Sequence, residues 1–303
     1  MRKQGKGVCL AALAPFVLAA PATAQESSLP PPVRAMVVTA AESGDKAKLE
    51  AVVAVAKETN PDAAEEIDRL VAAIAAQQEA QRIEALQTAG FLDNWKGRVS
   101  VGGALATGNT DTKNLALGIN MVRDGLSWRH RLEANADIQR SAGTTDQERL
   151  LAAWQSDWKL SDALYVYGRF GYERNFDAGI ARRFIESAGM GWSALRRPRM
   201  TWDLEAGPAL QQTKYFDGRT EDGFAFRGAS RFGWDLTPTT RLTNDTFLLA
   251  NGASALNNTL AISTRLWRAL SVGVSFTLLW EAEPAEDLRS TSTVSRFTIG
   301  YDF

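Results

Sequence analysis

Imidazole and thiol chemistry are almost absent from this chain of 303 residues, which has one histidine, His130, and one cysteine, Cys9. Any acid, base or metal role for an imidazole therefore falls on His130. Its neighbours at every second position, Trp128, Leu132 and Ala134, are apolar, while Ser127 stands on the other parity. That pattern makes His130 an interfacial side chain on an apolar wall. It leaves a surface hydrolase without an identified nucleophile, since a catalytic serine must sit beside its base. One histidine without a nearby cysteine is too little for a zinc centre. No glycine-rich loop of phosphate-binding spacing occurs, and neither a metal, a cofactor nor an enzyme activity is expected.

The abundant chemistry is ionic. Arg129, Arg131, Glu133 and Asp137 alternate with apolar residues. The same parity continues through Arg149, Asp157, Lys159, Arg169, Glu173, Asp203, Glu205, Arg227, Arg231, Asp235, Arg241, Asp245 and Arg265. Charges gathered on one face of a closed wall are costly to bury singly, so they must pair or be hydrated. Such a lattice has two uses: it plugs and stiffens a narrow barrel, or it lines a water-filled passage for small polar solutes. Gln155, Tyr165, Tyr167, Gln211 and Thr213 share the face and are suited to grading a lumen for a polar ligand. The formal net charge of −1 and the mixing of both signs along the chain argue against a nucleic-acid surface.

The elements that must carry these charges read as β-strands. Leu126, Trp128, His130, Leu132, Ala134, Ala136 and Ile138 alternate with Ser127, Arg129, Arg131, Glu133, Asn135, Asp137 and Gln139. Runs of this kind predict twelve strands, at about 95–106, 112–122, 126–140, 147–159, 163–174, 183–195, 200–213, 224–236, 240–250, 258–268, 270–282 and 290–303. Strands of soluble proteins average about five or six residues, whereas a tilted transmembrane strand needs about 9 to 11. Short turns such as Arg123-Asp124-Gly125 and Leu160-Ser161-Asp162 alternate with longer loops. An even strand number with short turns on one rim is the pattern of an outer-membrane barrel with periplasmic termini. The expected fold is therefore all-β: a 12-stranded antiparallel transmembrane barrel over residues 91–303. Its outer partners are membrane lipid and lipopolysaccharide. Eight strands are filled by their side chains and sixteen leave a channel, so the strand number alone does not choose between plug and pore.

Ahead of the barrel, Arg2, Lys3 and Lys6, an apolar run from Val8 to Ala20, and Ala22-Thr23-Ala24 form a secretory signal over residues 1–24. Its removal takes Cys9 with it. Residues 25–41, with Leu29-Pro30-Pro31-Pro32, read as a flexible extended tether. Residues 42–90 read as a periplasmic helical segment: Asn60 as a cap, Pro61 at the first helical position, then Ile67, Leu70, Val71 and Ile74 at helical spacing. That narrow stripe serves either a spacer helix or self-association through a paired helix.

Trp95-Lys96-Gly97-Arg98-Val99-Ser100-Val101-Gly102-Gly103-Ala104, followed by Thr107-Gly108-Asn109-Thr110-Asp111-Thr112, resembles the start of the DUF481 family. Its members are often called salt-induced outer membrane proteins. Trp158-Lys159-Leu160-Ser161-Asp162 and Tyr165-Val166-Tyr167-Gly168-Arg169 extend the resemblance, which runs from about Trp95 to Phe303. It implies an outer-membrane barrel with a link to salt or alkaline stress, and it carries no catalytic residues. Thr107, Gly108, Asn109 and Thr110 read physically as a hairpin loop, because Gly and Asn tolerate left-handed backbone. The last strand, with Phe297, Ile299, Tyr301 and the terminal Phe303 on one face, resembles the signal read by the barrel-assembly machinery. Three functions follow: narrow passage or sensing of small polar solutes or ions, a non-conducting structural or adhesive barrel, and a surface hydrolase using His130.

Overall fold

A computed structural model describes residues 29–107, 112–141, 144–176, 178–250, 254–282 and 289–303. The signal segment 1–24 and the loop residues Gly108, Asn109 and Thr110 lie outside the described residues. The chain divides into two units, residues 1–82 and 83–303.

Period-two alternation becomes twelve strands: β1 (Trp95–Thr107), β2 (Thr112–Asp124), β3 (Trp128–Ser141), β4 (Thr144–Lys159), β5 (Leu164–Asn175), β6 (Ile180–Arg197), β7 (Met200–Tyr215), β8 (Thr220–Asp235), β9 (Thr240–Ala250), β10 (Ala255–Trp267), β11 (Leu270–Glu281) and β12 (Thr291–Asp302). Each pairs antiparallel with its neighbour in sequence. β1 pairs with β12 from Arg98↔Asp302 to Thr107↔Thr293, which closes the barrel and leaves no free edge. Closure satisfies every ladder within the wall, the condition for backbone to cross a bilayer. The outward face is apolar and exposed: Leu117, Phe170, Met190, Leu260, Ile262 and Phe276 in the middle, with Trp128, Trp158, Trp202, Trp234 and Trp267 towards the short-turn rim. A face of that composition is stable only against lipid. The protein is thus an outer-membrane barrel whose N-terminal segment lies in the periplasm, the side of the short turns and of both barrel termini. Among the described residues no helix is long and apolar enough to cross a membrane.

The lead into β1 is fastened to the outside of the wall. Arg123 donates to the carbonyls of Gly90 (3.0 Å) and Asp93 (3.1 Å), and Phe91 stacks on Trp154 with ring centroids 6.0 Å apart. Asn94 takes φ 62°, a left-handed conformation that asparagine tolerates better than most residues.

The N-terminal unit is helical further forward than the composition indicates. Residues 31–41, read above as extended tether, belong to α1 (Pro31–Glu42). Pro31 and Pro32 occupy its first turn, where no N–H is needed, so the prolines start a helix instead of preventing one. α2 (Lys46–Thr59) is capped by Asp45, whose carboxylate accepts from the Lys48 amide (3.1 Å). Asn60 does not cap the following turn; its side chain donates to the Ala56 carbonyl (3.0 Å) and closes α2. Ile67 on α3 (Ala64–Thr88) is fully buried with Leu29, Val37, Ala56 and Ala63, and Leu70 and Val71 pack against them. The first half of the α3 stripe is therefore spent inside this unit.

Candidate functional site

Inward residues of the strands meet in the lumen, and their chemistry differs between its two sides. From β3 to β8 the wall is charged. Near the short-turn rim, the buried Asp157 accepts from Arg129 (2.7 Å) and from Gln155 (2.8 Å), and pairs with Arg131 (2.7 Å). Asp203 accepts from Ser193 (2.7 Å) and Arg131 (3.3 Å). Glu205 is the most heavily used anion: Gln155 (2.7 Å), Tyr165 (3.0 Å), Arg227 (2.9 Å) and Arg231 (2.5 Å) all donate to it, and Arg131 stands at 3.5 Å. These contacts are chords, because β3 and β7 are four places apart around the ring, as are β4 and β8 across Gln155–Arg231 (2.9 Å). A charge-assisted bond between distant strands fills the space it crosses as well as neutralising its partners.

Two tyrosines floor this cluster. The Arg129 guanidinium lies 4.9 Å from the Tyr165 ring centre and that of Arg227 lies 5.0 Å from Tyr167. Tyr165 lies flat only because β6 has a glycine beneath it: a Cβ on Gly191 would stand 2.1 Å from the ring. Gly191→Ala is therefore expected to displace Tyr165 from Glu205 and to cost the barrel about 1–3 kcal/mol. Urea titration of the folded fraction in vesicles measures this; an unchanged midpoint would show that the ring is not held.

Towards the other rim one pair reaches further. Arg183 of β6 grips Glu281 of β11 through two bonds (2.9 and 3.2 Å) and also reaches Glu173 (3.4 Å). β6 and β11 are five places apart among twelve strands, so this strut crosses almost the full lumen. Arg296 of β12 holds Asp137 of β3 through a second bidentate contact, and Arg169 donates to Glu133 (3.4 Å).

The remaining arc, β9 to β12 with β1 and β2, has charges mainly towards its ends, among them the Arg98–Asp302 pair, Arg241 and Glu281, with Asp245 and Arg296 between; elsewhere it carries small and hydroxyl side chains: Thr243, Thr259, Ser263, Ser275, Thr298, Ser100 and Gly118. Between the two arcs runs a cavity of about 730 Å³. Its lining extends from Lys96, Arg98 and Asp302 at the short-turn rim to Ala255, Asn257 and Glu281 at the far ends of β10 and β11.

Of the charged residues picked out by alternation, Arg129, Arg131, Glu133, Asp137, Asp157, Arg169, Glu173, Asp203, Glu205, Arg227 and Arg231 meet in these ion pairs. Arg149 is buried and lines the cavity; Asp245 lines it too, open to its space. Arg265 does not join. It is exposed beside the bulge between Arg265 and Trp267, and makes no ion pair among the described residues. The ion-pair partners Arg183, Glu281, Arg296, Arg98 and Asp302 lie outside the set picked out by alternation; the parity of their strands contains the signal, and all but Arg296, which stands in the middle of β12, lie near a strand end. Phe297, Ile299, Tyr301 and Phe303 are exposed on the outer face of the last strand and its end.

His130 faces outward within an aromatic group. Its Nδ1 is 2.9 Å from Ser156 Oγ, which also accepts from the Trp154 indole (3.0 Å), and its ring stacks parallel to Trp128. The neighbouring-strand serine that alternation did not identify is thus Ser156. Among the described residues no carboxylate bonds the other ring nitrogen, the contact that orients a catalytic base.

A family described as "Protein of unknown function, DUF481" matches residues 99–303. The chain is 23% identical over 208 residues to the uncharacterized protein YdiY of Escherichia coli (strain K12), covering 68% of this chain and 82% of that one. Among solved structures it is similar to the NanC porin at a TM-score of 0.48 and 10% identity, covering 68% of this chain and 100% of that one. It is also similar to outer membrane phospholipase A from Escherichia coli at a TM-score of 0.43 and 9% identity, covering 71% and 95%.

Proposed function

Because this chain belongs to the DUF481 family, a family of unknown function, we propose an activity from its own lumen: a narrow, off-centre aqueous passage for small hydrophilic solutes and ions. The observation that carries this reading is the cavity whose lining runs from one end of the barrel strands to the other beside the charged arc. Most ion pairs crowd one side and brace the wall; hydroxyl and small side chains, which predominate on the other side, leave room for water and offer it hydrogen bonds. Paired charges present little net field, so the passage sorts by size and polarity more than by sign. Ionic strength weakens pairs that water reaches, which ties the same reading to the salt and envelope stress implied by the family resemblance.

Planar-bilayer recording on refolded protein tests the proposal. Discrete conductance steps that grow with salt concentration are expected. A membrane that stays electrically silent with folded barrel inserted would transfer the assignment to a non-conducting structural barrel. The Arg183–Glu281 strut across the lumen is the observation that favours that second reading.

A further inference from the structure

The outer wall, which is mostly hydrocarbon, contains a polar island of four neighbouring side chains. Ser230, Thr246 and Asn258 are register partners on β8, β9 and β10, and Asn244 lies one outward position along β9 from Thr246. All four take the parity opposite to Arg231, Asp245 and Thr259 in the lumen, so they face the membrane. Their neighbours on the same face, Trp234 and Leu242 towards the short-turn rim and Phe226, Leu248 and Leu256 towards the other, place them inside the apolar band.

The island is organised. Asn258 Nδ2 donates to Thr246 Oγ1 (2.7 Å) and to Asn244 Oδ1 (3.4 Å), Asn244 Nδ2 donates to Asn258 Oδ1 (3.3 Å), and the Trp202 indole donates to Ser230 Oγ (2.9 Å). These bonds fix the amides on the wall but do not use them up. Each amide brings two donor hydrogens and two acceptor lone pairs, and an acyl chain can satisfy none of those left over.

We propose that this face of β8–β10 is an interface in the membrane with a second copy of the same chain. The choice of occupant follows from the chemistry of the patch. Thr246 Oγ1 also donates to Asn244 Oδ1 (3.5 Å), so one donor hydrogen of Asn244 and one acceptor lone pair of Asn258 are left over, and the island is complementary to itself about a two-fold axis along the membrane normal, the geometry of an isologous contact. Gly228, beside Leu248 on the same face, leaves the wall low next to the island, where small residues let two polypeptide surfaces approach closely. The inference rests on the outer wall and is independent of conduction through the lumen.

Cysteine cross-linking in intact outer membranes tests it, using full-length chain with Cys9→Ser. Leu248→Cys at the edge of the island is expected to give disulfide-linked dimers, while Val274→Cys, outward on β11, stays monomeric. Asn244→Leu with Asn258→Leu should abolish the Leu248→Cys dimer while the barrel keeps its heat-modifiable gel shift. Monomer alone from Leu248→Cys, dimers retained in the double leucine variant, or adducts only with another protein or with lipopolysaccharide would each overturn the proposal. Should the double leucine variant fail to fold, the comparison of Leu248→Cys with Val274→Cys in the native barrel still decides it.

Discussion

Replacing Glu205 by alanine is expected to destabilise the barrel by about 3–5 kcal/mol, the usual loss when one member of a buried ion pair is removed. The carboxylate is nearly inaccessible, with 1% of its side chain exposed, and from β7 it anchors groups of three other strands: Gln155 of β4, Tyr165 of β5, and Arg227 and Arg231 of β8. Alanine leaves Arg227, itself 1% exposed, without its anion, and leaves the Arg231–Gln155 chord without its shared carboxylate. Arg231, 20% exposed, can be screened in part by water, whereas Arg227 is too deep for that. The measurement is the urea midpoint of the heat-modifiable form in vesicles, with Glu205→Gln as a milder step that keeps one acceptor. Adding Arg227→Met to Glu205→Gln should recover part of the loss, because it removes the stranded charge. A midpoint unchanged in Glu205→Ala would mean that the lattice is hydrated enough to be energetically idle.

Arg183→Ala is expected to raise single-channel conductance several-fold and to turn the passage towards cations. The guanidinium narrows the lumen by holding Glu281 from five strands away, and it also neutralises Glu173. Its loss removes the obstruction and leaves both carboxylates at the widened section, where field lines in a low-dielectric wall are focused. In a series of constrictions the tightest dominates the resistance, so a single strut has leverage out of proportion to its size. Reversal potentials in a salt gradient read the selectivity. Glu281→Ala is the contrasting variant: it frees the strut from the other end, raises conductance and leaves Arg183 with Glu173, with no comparable swing towards cations. Equal conductance in wild type and Arg183→Ala, both folded, would place the constriction elsewhere and remove this strut from the mechanism.

The barrel itself was legible residue by residue. A side chain on a strand points to one face or the other with a period of two. The alternation of Leu132, Ala134, Ala136 and Ile138 with Arg131, Glu133, Asn135 and Asp137 therefore determines both the strand and its inward face. Twelve such runs with short turns on one rim determine the closed antiparallel topology. Local misreadings arose where a residue serves either of two neighbouring structures. Pro31 and Pro32 begin α1 although proline-rich segments are usually extended, and Asn60 turns back to close α2 instead of opening the next turn. Arg265 has lumen parity but sits beside a bulge, which takes it out of the lattice.

What sequence periodicity determined by itself is which residues face the lumen; what only the tertiary structure decided is which of them meet. Parity assigns a face and says nothing of the angle around the ring. Arg183 finds Glu281 across five strands, and Arg296 finds Asp137 at a separation of 159 residues, only after closure and stagger bring those strands opposite one another. The same closure sets most of the ion pairs along β3 to β8, ties that arc to the opposite wall through Arg183–Glu281 and Arg296–Asp137, and leaves most of the small hydroxyl residues on the other side.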